Sequence, residues 1–169
     1  ALIFIAAGRL DWPLAWLFVL AWSLFKVVFI TLLRWRNPGL IVERATRHEN
    51  TQPYDRWILP AYFVLAFGTI VVAGLDGGRF RWSGDMPVIL IIVSYIIYLL
   101  GNFLAAWAVD ANAFFSSESR LQTDRQQTVT RSGPYRFVRH PGYLAAVILW
   151  PATGPMLESW WAVLPGLLA

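Results

Sequence analysis

The side chains best suited to chemistry are concentrated in thirteen consecutive residues, 131–143, which read RSGPYRFVRHPGY. This segment holds three arginines, two tyrosines and His140, one of only two histidines in the chain. Gly133 and Pro134 predict a turn, and Pro141 restricts His140 to an extended conformation. Fixed positive charge, aromatic faces and hydroxyl groups suit an anionic or zwitterionic ligand with a flat ring. The alternative is a juxtamembrane anchor, in which arginine contacts lipid phosphate and tyrosine lies in the interface.

The stretches around this segment are apolar enough to lie in a membrane. Hydrophobic residues make up 57% of the 169 residues and charged residues only 14%, a balance that one soluble core could not bury. Three stretches, 13–33, 57–75 and 86–109, carry a single charge between them, that of Lys26. Each is long enough to cross about 30 Å of hydrocarbon as an α-helix. We expect Lys26 to extend its ammonium to the interface, with a role near a substrate as the alternative.

The distribution of arginine indicates the topology. Five arginines lie in 34–56 and five more in 110–141, whereas the other connections carry less positive charge. Because cytoplasmic loops collect positive charge, these two loops are predicted to be cytoplasmic, in a multi-pass protein of the bacterial inner membrane. The loop 110–143 is also too long for an idle connection, so we expect it to form the cofactor site.

The fold class that follows is all-α, a polytopic integral membrane helical bundle with about four spans. Residues 1–7 are interpreted as the end of the first span. After Tyr143 the apolar run is interrupted by prolines and glycine, which predicts a C-terminal helical hairpin that turns near 154–159 and is cut short. The whole chain, 1–169, is predicted to be one domain.

Several kinds of site are disfavoured by what the sequence contains. There is no cysteine, so disulfides, thiolate metal sites and cysteine nucleophiles are excluded. No metal site is predicted, because His48 and His140 lie in separate loops without a third ligand, and His48 is expected to be a solvated loop residue. The basic residues lie at helix ends, as in a membrane protein, so no nucleic-acid partner is predicted. Asn112 either caps its helix or lines the site, and both interpretations stay open.

The pattern Gly-Pro-Tyr-Arg-Phe-Val-Arg-His-Pro-Gly-Tyr at 133–143 resembles that of the isoprenylcysteine carboxyl methyltransferase and phospholipid methyltransferase superfamily. The likeness to its bacterial members continues upstream, in NPGL at 37–40 with ER at 43–44, GLD at 74–76, WS at 82–83, Asn112 with FF at 114–115, and RLQ at 120–122. It implies a membrane enzyme that binds S-adenosylmethionine in a cytoplasm-facing pocket. The methyl acceptor would be lipophilic and come from the bilayer: a prenylcysteine carboxylate, a phospholipid amine or a lipophilic thiol.

The resemblance also implies site residues. It places the cofactor contacts on Gln122, Gln127, Thr128, Val129, Thr130, Tyr135, His140, Pro141, Gly142 and Tyr143. Arg139, His140 and Asn112 are the candidates for a catalytic role. No nucleophilic side chain is needed, because methyl transfer from a sulfonium mainly requires alignment of the reactants and exclusion of water.

This sequence departs from the family pattern in two places. Gln127 stands where many relatives have histidine, although its amide can still bind a polar edge of the cofactor. The family's C-terminal Arg-x-x-x-Glu region would lie beyond Ala169, so the chain resembles a C-terminally truncated member, and a piece ending there is expected to be inactive.

Two other functions stay open. Membrane sterol reductases carry a related Arg-His-Pro-x-Tyr element and bind NADPH. A non-catalytic membrane helper protein would use the loop to bind lipid headgroups or a partner. The sequence does not indicate the oligomeric state.

Overall fold

The computed structural model describes residues 1–46, 52–116, 119 and 122–169. Over this part of the chain there are seven α-helices: α1 Leu2–Ala7, α2 Pro13–Arg36, α3 Pro38–Ala45, α4 Asp55–Ala73, α5 Val88–Ala111, α6 Pro141–Met156 and α7 Val163–Leu168. Helix α4 continues into a π-helical turn, Gly74–Phe80, and two 3-10 turns, Thr123–Arg125 and Gly133–Arg136, lie between α5 and α6. The described residues contain no strand, so the predicted all-α fold is confirmed.

Three helices are long and apolar enough to cross a membrane: α2, α5, and the continuous helix Asp55–Phe80 formed by α4 and its π turn. They confirm the three spans predicted from the apolar stretches. Helices α2 and α5 have 24 residues each, about 36 Å at 1.5 Å per residue. The additional span predicted at the start corresponds to α1, whose six residues cover about 9 Å, and it stays a prediction.

Proline marks where several of these helices begin. Pro13, Pro38 and Pro141 are the first residues of α2, α3 and α6, where the missing N–H would have no partner inside the helix. Helices α2 and α5 end, and α4 and α6 begin, at one end of the bundle, which we call the loop end. There Arg36 Nη1 lies 2.9 Å from Asp110 Oδ2, and this ion pair joins α2 to α5.

The last two helices form an antiparallel hairpin. A Cβ added at Gly154 would lie 3.0 Å from the backbone nitrogen of Val163, and one added at Gly166 would lie 2.7 Å from the carbonyl oxygen of Trp150. Glycine at both positions therefore lets the two helices approach closely. The predicted hairpin is confirmed. Its turn begins after Met156, slightly later than expected, because α6 continues through its two internal prolines.

A buried carboxylate holds the opposite end of the bundle together. Asp76, in the π turn, is fully buried and accepts hydrogen bonds from the backbone nitrogen of Ser83 at 2.8 Å and from the hydroxyl of Ser159 at 2.6 Å. The Ser83 hydroxyl donates to the same carboxylate. Ser159 lies in the turn between α6 and α7. This network therefore fixes the C-terminal end of α6, whose N-terminal end lies at the loop end.

Candidate functional site

A cavity of about 810 Å³ lies at the loop end. It is lined by Asn112, Gln122, Thr123 and the stretches 126–131 and 135–140. Its volume falls within the range of roughly 300–1,000 Å³ that is typical of small-molecule sites. The long loop between α5 and α6, singled out for its length and polarity, therefore encloses a space rather than only connecting two helices.

Asn112 organises one wall of the cavity. It is the C-terminal cap residue of α5, and its Oδ1 accepts hydrogen bonds from the backbone nitrogen of Phe114 at 2.9 Å and the hydroxyl of Thr130 at 3.1 Å. Its Nδ2 donates to the hydroxyl of Tyr135 at 3.2 Å. These contacts fix the orientation of the amide, since the oxygen has two donors and the nitrogen has an acceptor. Both interpretations of Asn112 are thus realised: it caps its helix and lines the cavity.

The hydroxyl of Tyr135 is a hydrogen-bond donor toward the cavity. Burial raises the pKa of this phenol above its ordinary value, and the hydrogen bond from Asn112 acts in the opposite direction. The phenol is therefore protonated at neutral pH. Because Asn112 supplies the hydrogen of their mutual bond, the proton of the Tyr135 hydroxyl is left to donate to a ligand.

The turn that carries Tyr135 packs directly on α5. Gly133 has a φ of 58°, in the left-handed region that favours glycine. A Cβ at this position would lie 2.7 Å from the Cβ of Ala111 and 3.1 Å from Nε1 of Trp107. Only glycine combines this backbone conformation with so close an approach, so Gly133 sets the distance between Tyr135 and the end of α5.

Gln122 and Gln127 hold the opposite wall together. The Gln122 side chain is buried, donates through Nε2 to the carbonyl of Phe114 at 2.8 Å, and accepts through Oε1 from Arg125 at 2.7 Å. Its backbone nitrogen donates to Oε1 of Gln127 at 2.8 Å. Gln127 therefore uses its oxygen to close the loop, and its Nε2 group is left for a ligand.

From the sequence, Arg125 indicates only topology, as one of the five arginines of 110–141. In the structure it also donates to the carbonyl of Ala113 at 3.1 Å, lies over the ring of Phe114, and has Nη1 3.9 Å from Oε2 of the buried Glu43. Gln122 and Arg125 are three residues apart, and in a 3-10 turn such residues lie next to each other. This spacing is the feature of the sequence that could have predicted their contact. Arg125 therefore organises the wall without itself lining the cavity.

The cavity is electropositive. Arg131, Arg136 and Arg139 line it and are exposed. None of its described lining residues is an aspartate or glutamate. Such a surface suits a carboxylate or phosphate group of a ligand.

The predicted cofactor residues separate into two groups. Seven of the ten line the cavity: Gln122, Gln127, Thr128, Val129, Thr130, Tyr135 and His140. The three catalytic candidates, Asn112, Arg139 and His140, line it as well. The other lining residues, none of which was named individually as a cofactor contact, are Thr123, Gln126, Arg131, Arg136, Phe137 and Val138.

Pro141, Gly142 and Tyr143 lie outside the cavity lining. They form the first turn of α6, where Pro141 is buried and a Cβ at Gly142 would lie 2.8 Å from the ring of Phe115. Tyr143 is 70% exposed, with its ring centroid 5.5 Å from that of His140. The start of α6 thus directs these residues toward Phe115 and the outside of the bundle, and only His140 reaches the cavity.

Other predicted positions lie elsewhere. His48, Arg120 and Leu121 are outside the described residues. The ammonium of Lys26 lies 5.9 Å from the ring centroid of Trp22, one helical turn earlier, and its extension to the interface stays a prediction. Within the described part of the chain no three histidine, aspartate or glutamate side chains form a metal-binding group.

Comparison with known protein families gives a match to the second half of the chain. Residues 90–165 match the sequence model of the isoprenylcysteine carboxyl methyltransferase (ICMT) family. The matched part begins inside α5 and ends inside α7, so it includes the whole cavity lining. No curated protein and no solved structure matches the chain. The family match supports the superfamily assignment that the 133–143 pattern indicated.

Proposed function

We propose that this chain, assigned to the isoprenylcysteine carboxyl methyltransferase superfamily by residues 90–165, binds S-adenosylmethionine in the loop-end cavity. It would transfer the methyl group to a lipophilic acceptor. The observation that carries the proposal is the coincidence of the cavity lining with the matched segment. The family match and the apolar helices support a membrane methyltransferase in general terms, and the cofactor and acceptor are the parts proposed here.

The residues of the cavity suit the polar groups of S-adenosylmethionine. Its carboxylate would pair with Arg131, Arg136 or Arg139, which line the cavity and carry permanent positive charge. The Tyr135 hydroxyl and the Nε2 group of Gln127 would donate hydrogen bonds to its ribose or purine edge. The carboxylate and the nucleoside of the cofactor would therefore each have a partner in the cavity lining.

One feature of the cofactor has no partner among the described lining residues. S-adenosylmethionine carries an ammonium and a sulfonium, and no carboxylate lines the cavity to receive them. The rings of Tyr135 and His140 offer the cations a weaker, aromatic contact in its place.

S-adenosylmethionine would supply a methyl group bonded to a positively charged sulfur. A lone pair of the acceptor would form a bond to the methyl carbon as the carbon–sulfur bond breaks, and the sulfur would depart as a neutral thioether. The chain's own residues would align the two reactants and exclude water from them. The Thr130–Asn112–Tyr135 hydrogen bonds keep the wall rigid. Arg139 would hold an acceptor carboxylate in its ionised, nucleophilic form.

The acceptor's apolar chain would lie in a second cavity, of about 370 Å³, between α2 and α5. Its walls include Phe29, Leu33 and Phe103. Trp107 lines this cavity and also contacts the turn at Gly133, so one side chain borders both spaces.

Filling the second cavity with Ala106→Trp should raise the KM for a prenylated acceptor and leave cofactor affinity unchanged. Leu100→Trp, on the exposed side of α5, is the matched control.

The arginines of the cavity also favour a second candidate. Three guanidinium groups would suit the phosphates of NADPH, the cofactor of the membrane sterol reductases whose Arg-His-Pro-x-Tyr element is related. Titrating the full-length protein in detergent with S-adenosylmethionine and, separately, with NADPH distinguishes the two. If isothermal calorimetry shows binding of S-adenosylmethionine alone, the result supports the methyltransferase. Binding of NADPH alone supports the reductase.

The identity of the acceptor requires an activity assay. Full-length protein supplied with tritiated S-adenosylmethionine and an S-prenylated cysteine should form a product whose label is released by alkali, because a carboxyl methyl ester hydrolyses. Label that resists alkali would instead indicate methylation of an amine or thiol. No incorporation with any of the three acceptor classes, by protein that binds the cofactor, would refute transfer to a lipophilic acceptor.

The proposed orientation places 34–56 and 110–141 in the cytoplasm of a bacterial cell. Since the chain contains no cysteine, single-cysteine variants can be labelled in intact cells with a membrane-impermeant maleimide. Asp11→Cys, at the opposite end and well exposed, should be labelled, whereas Ser132→Cys in the loop should be protected. The reverse pattern would invert the orientation.

A further inference from the structure

Helix α3 presents a buried carboxylate to the loop end of the bundle. Leu40 and Glu43 are its two buried residues, and their spacing of three places them on one face of the helix. Leu40 packs with Leu33 of α2 and Val109 of α5, so this face is turned into the bundle. Glu43 is only 8% exposed. Removing a carboxylate from water to this degree costs free energy, which a nearby cation offsets.

A cation close to Glu43 belongs to the long loop between α5 and α6. Nη1 of Arg125 lies 3.9 Å from Oε2 of Glu43, and the Arg125 side chain is 28% exposed. The attraction between the two charges is stronger here than in water, because both groups are largely removed from solvent. Helix α3 therefore holds the side chain of Arg125, although the two residues are far apart in the sequence.

Arg125 connects Glu43 to the two glutamines of the cavity wall. Its Nη1 donates to Oε1 of Gln122 at 2.7 Å, and the backbone nitrogen of Gln122 donates to Oε1 of Gln127 at 2.8 Å. Gln122 and Gln127 both line the cavity, whereas Glu43 does not. Glu43 can therefore influence a ligand only through the residues that it positions.

The segment that follows α5 is also tied to α3. Three consecutive carbonyl oxygens, those of 113–115, accept one side-chain hydrogen bond each. The donors are Arg125, Gln122 and Arg44, at 3.1, 2.8 and 3.0 Å. Arg44 is a residue of α3, and the segment begins directly after Asn112, which lines the cavity. Helix α3 thus contacts the connection between the two walls of the cavity.

We infer that Glu43 is a positioning residue of the loop-end cavity. It holds Arg125, and Arg125 in turn holds Gln122 and Gln127 in the geometry that binds a ligand. The inference rests on the proposed function for the identity of that ligand, S-adenosylmethionine, but not for the link itself. It also extends the site beyond the family match, because residues 90–165 exclude Glu43.

Hydrogen exchange tests the link without any ligand. The backbone nitrogens of Arg125 and Gln127 donate to the carbonyl oxygen of Gln122, at 3.0 and 3.2 Å, so these amides are protected while the loop keeps this conformation. In the full-length protein in detergent, Glu43→Gln should make the amides of 122–127 exchange about tenfold faster, the effect of losing one contact to a charged group. Asp76→Asn alters a buried carboxylate at the opposite end of the bundle and is the matched control, which should leave this exchange unchanged.

Calorimetry with S-adenosylmethionine measures what the link contributes to binding. Glu43→Gln should weaken the affinity about tenfold, and so should Arg125→Met. The double variant should bind no more weakly than Arg125→Met alone, because Glu43 acts through Arg125. If Glu43 only stabilised the fold, the two effects on affinity would be independent and would add.

A second substitution of Glu43 keeps the test valid if Glu43→Gln does not fold. Glu43→Asp retains the buried charge but withdraws it from Arg125 by one methylene group, and it should still accelerate exchange at 122–127. Unchanged exchange in a folded Glu43 variant, an equal acceleration in Asp76→Asn, or additive losses of affinity in the double variant would each overturn the inference. If the wild type binds no S-adenosylmethionine while Glu43→Gln still accelerates exchange, the proposed function fails and the positioning role stands.

Discussion

Replacing Gly133 by alanine tests whether the contact between the Tyr135 turn and α5 determines the cavity. The residue has a φ of 58°, and an L-residue in the left-handed region costs about 1–2 kcal/mol. The new methyl group would lie 2.7 Å from the Cβ of Ala111 and 3.1 Å from Nε1 of Trp107. Such overpacking costs a further ~1–3 kcal/mol. We therefore expect Gly133→Ala to lower the free energy of unfolding by about 2–5 kcal/mol.

Gly84 provides a matched control for this substitution. Its φ is 68°, and a Cβ there would have no atom within 4 Å. Gly84→Ala should therefore show the backbone strain alone, about 1–2 kcal/mol, with S-adenosylmethionine affinity unchanged. Gly133→Ala should also displace Tyr135 from Asn112 and weaken binding about tenfold, the loss of one well-placed hydrogen bond. Chemical unfolding and isothermal calorimetry on both full-length variants measure these quantities; equal stability and equal affinity of the two would refute the reasoning.

Three further predictions concern single residues. Asp76→Ala leaves three donors without their acceptor and should lower the free energy of unfolding by about 3 kcal/mol, with cofactor affinity unchanged; thermal unfolding and calorimetry check both. Because burial raises the pKa of Tyr135, its phenol should stay protonated, and its contribution to cofactor affinity should stay constant, up to about pH 9. The affinity should fall as the pH rises through the pKa of Tyr135. Asn112→Ala removes a hydrogen bond that lowers this pKa, so the variant should show a higher Tyr135 pKa in an ultraviolet titration referenced to Tyr135→Phe. His140→Ala should weaken cofactor binding more than Tyr143→Ala, since only His140 lines the cavity; a larger effect of Tyr143→Ala in the same calorimetry would contradict the placement.

The spans could be predicted closely because their signal is local. Uninterrupted apolar stretches of sufficient length determine a helix in lipid, where every backbone polar group must be satisfied within the segment. The hairpin was also predictable from the prolines and glycine that follow Tyr143. Its turn lies slightly later than expected because Pro151 and Pro155 are tolerated inside α6, and proline position alone does not show where a helix ends.

The composition of the cavity wall was predictable in part. The family resemblance implied Tyr135, His140 and the 127–130 stretch, all of which line the cavity. It also included Tyr143, although a helix begins at Pro141 and turns that side chain outward. Adjacent positions in a motif diverge in space when the motif crosses a helix boundary.

Contacts between distant segments could not be read from the sequence. The packing of α3 on α2 through Leu33 and Leu40 is specified by no local pattern. The contact of Arg44 with Phe115 likewise depends on tertiary packing.

The central claim is that the loop-end cavity binds S-adenosylmethionine. Isothermal calorimetry of the full-length protein in detergent, with wild type, Tyr135→Phe and the exposed control Tyr54→Phe, tests it most directly. The account predicts saturable binding of one cofactor per chain, about five- to tenfold weaker in Tyr135→Phe and unchanged in Tyr54→Phe. Absence of binding to the wild type would contradict the function, and equal affinity in all three proteins would contradict the site.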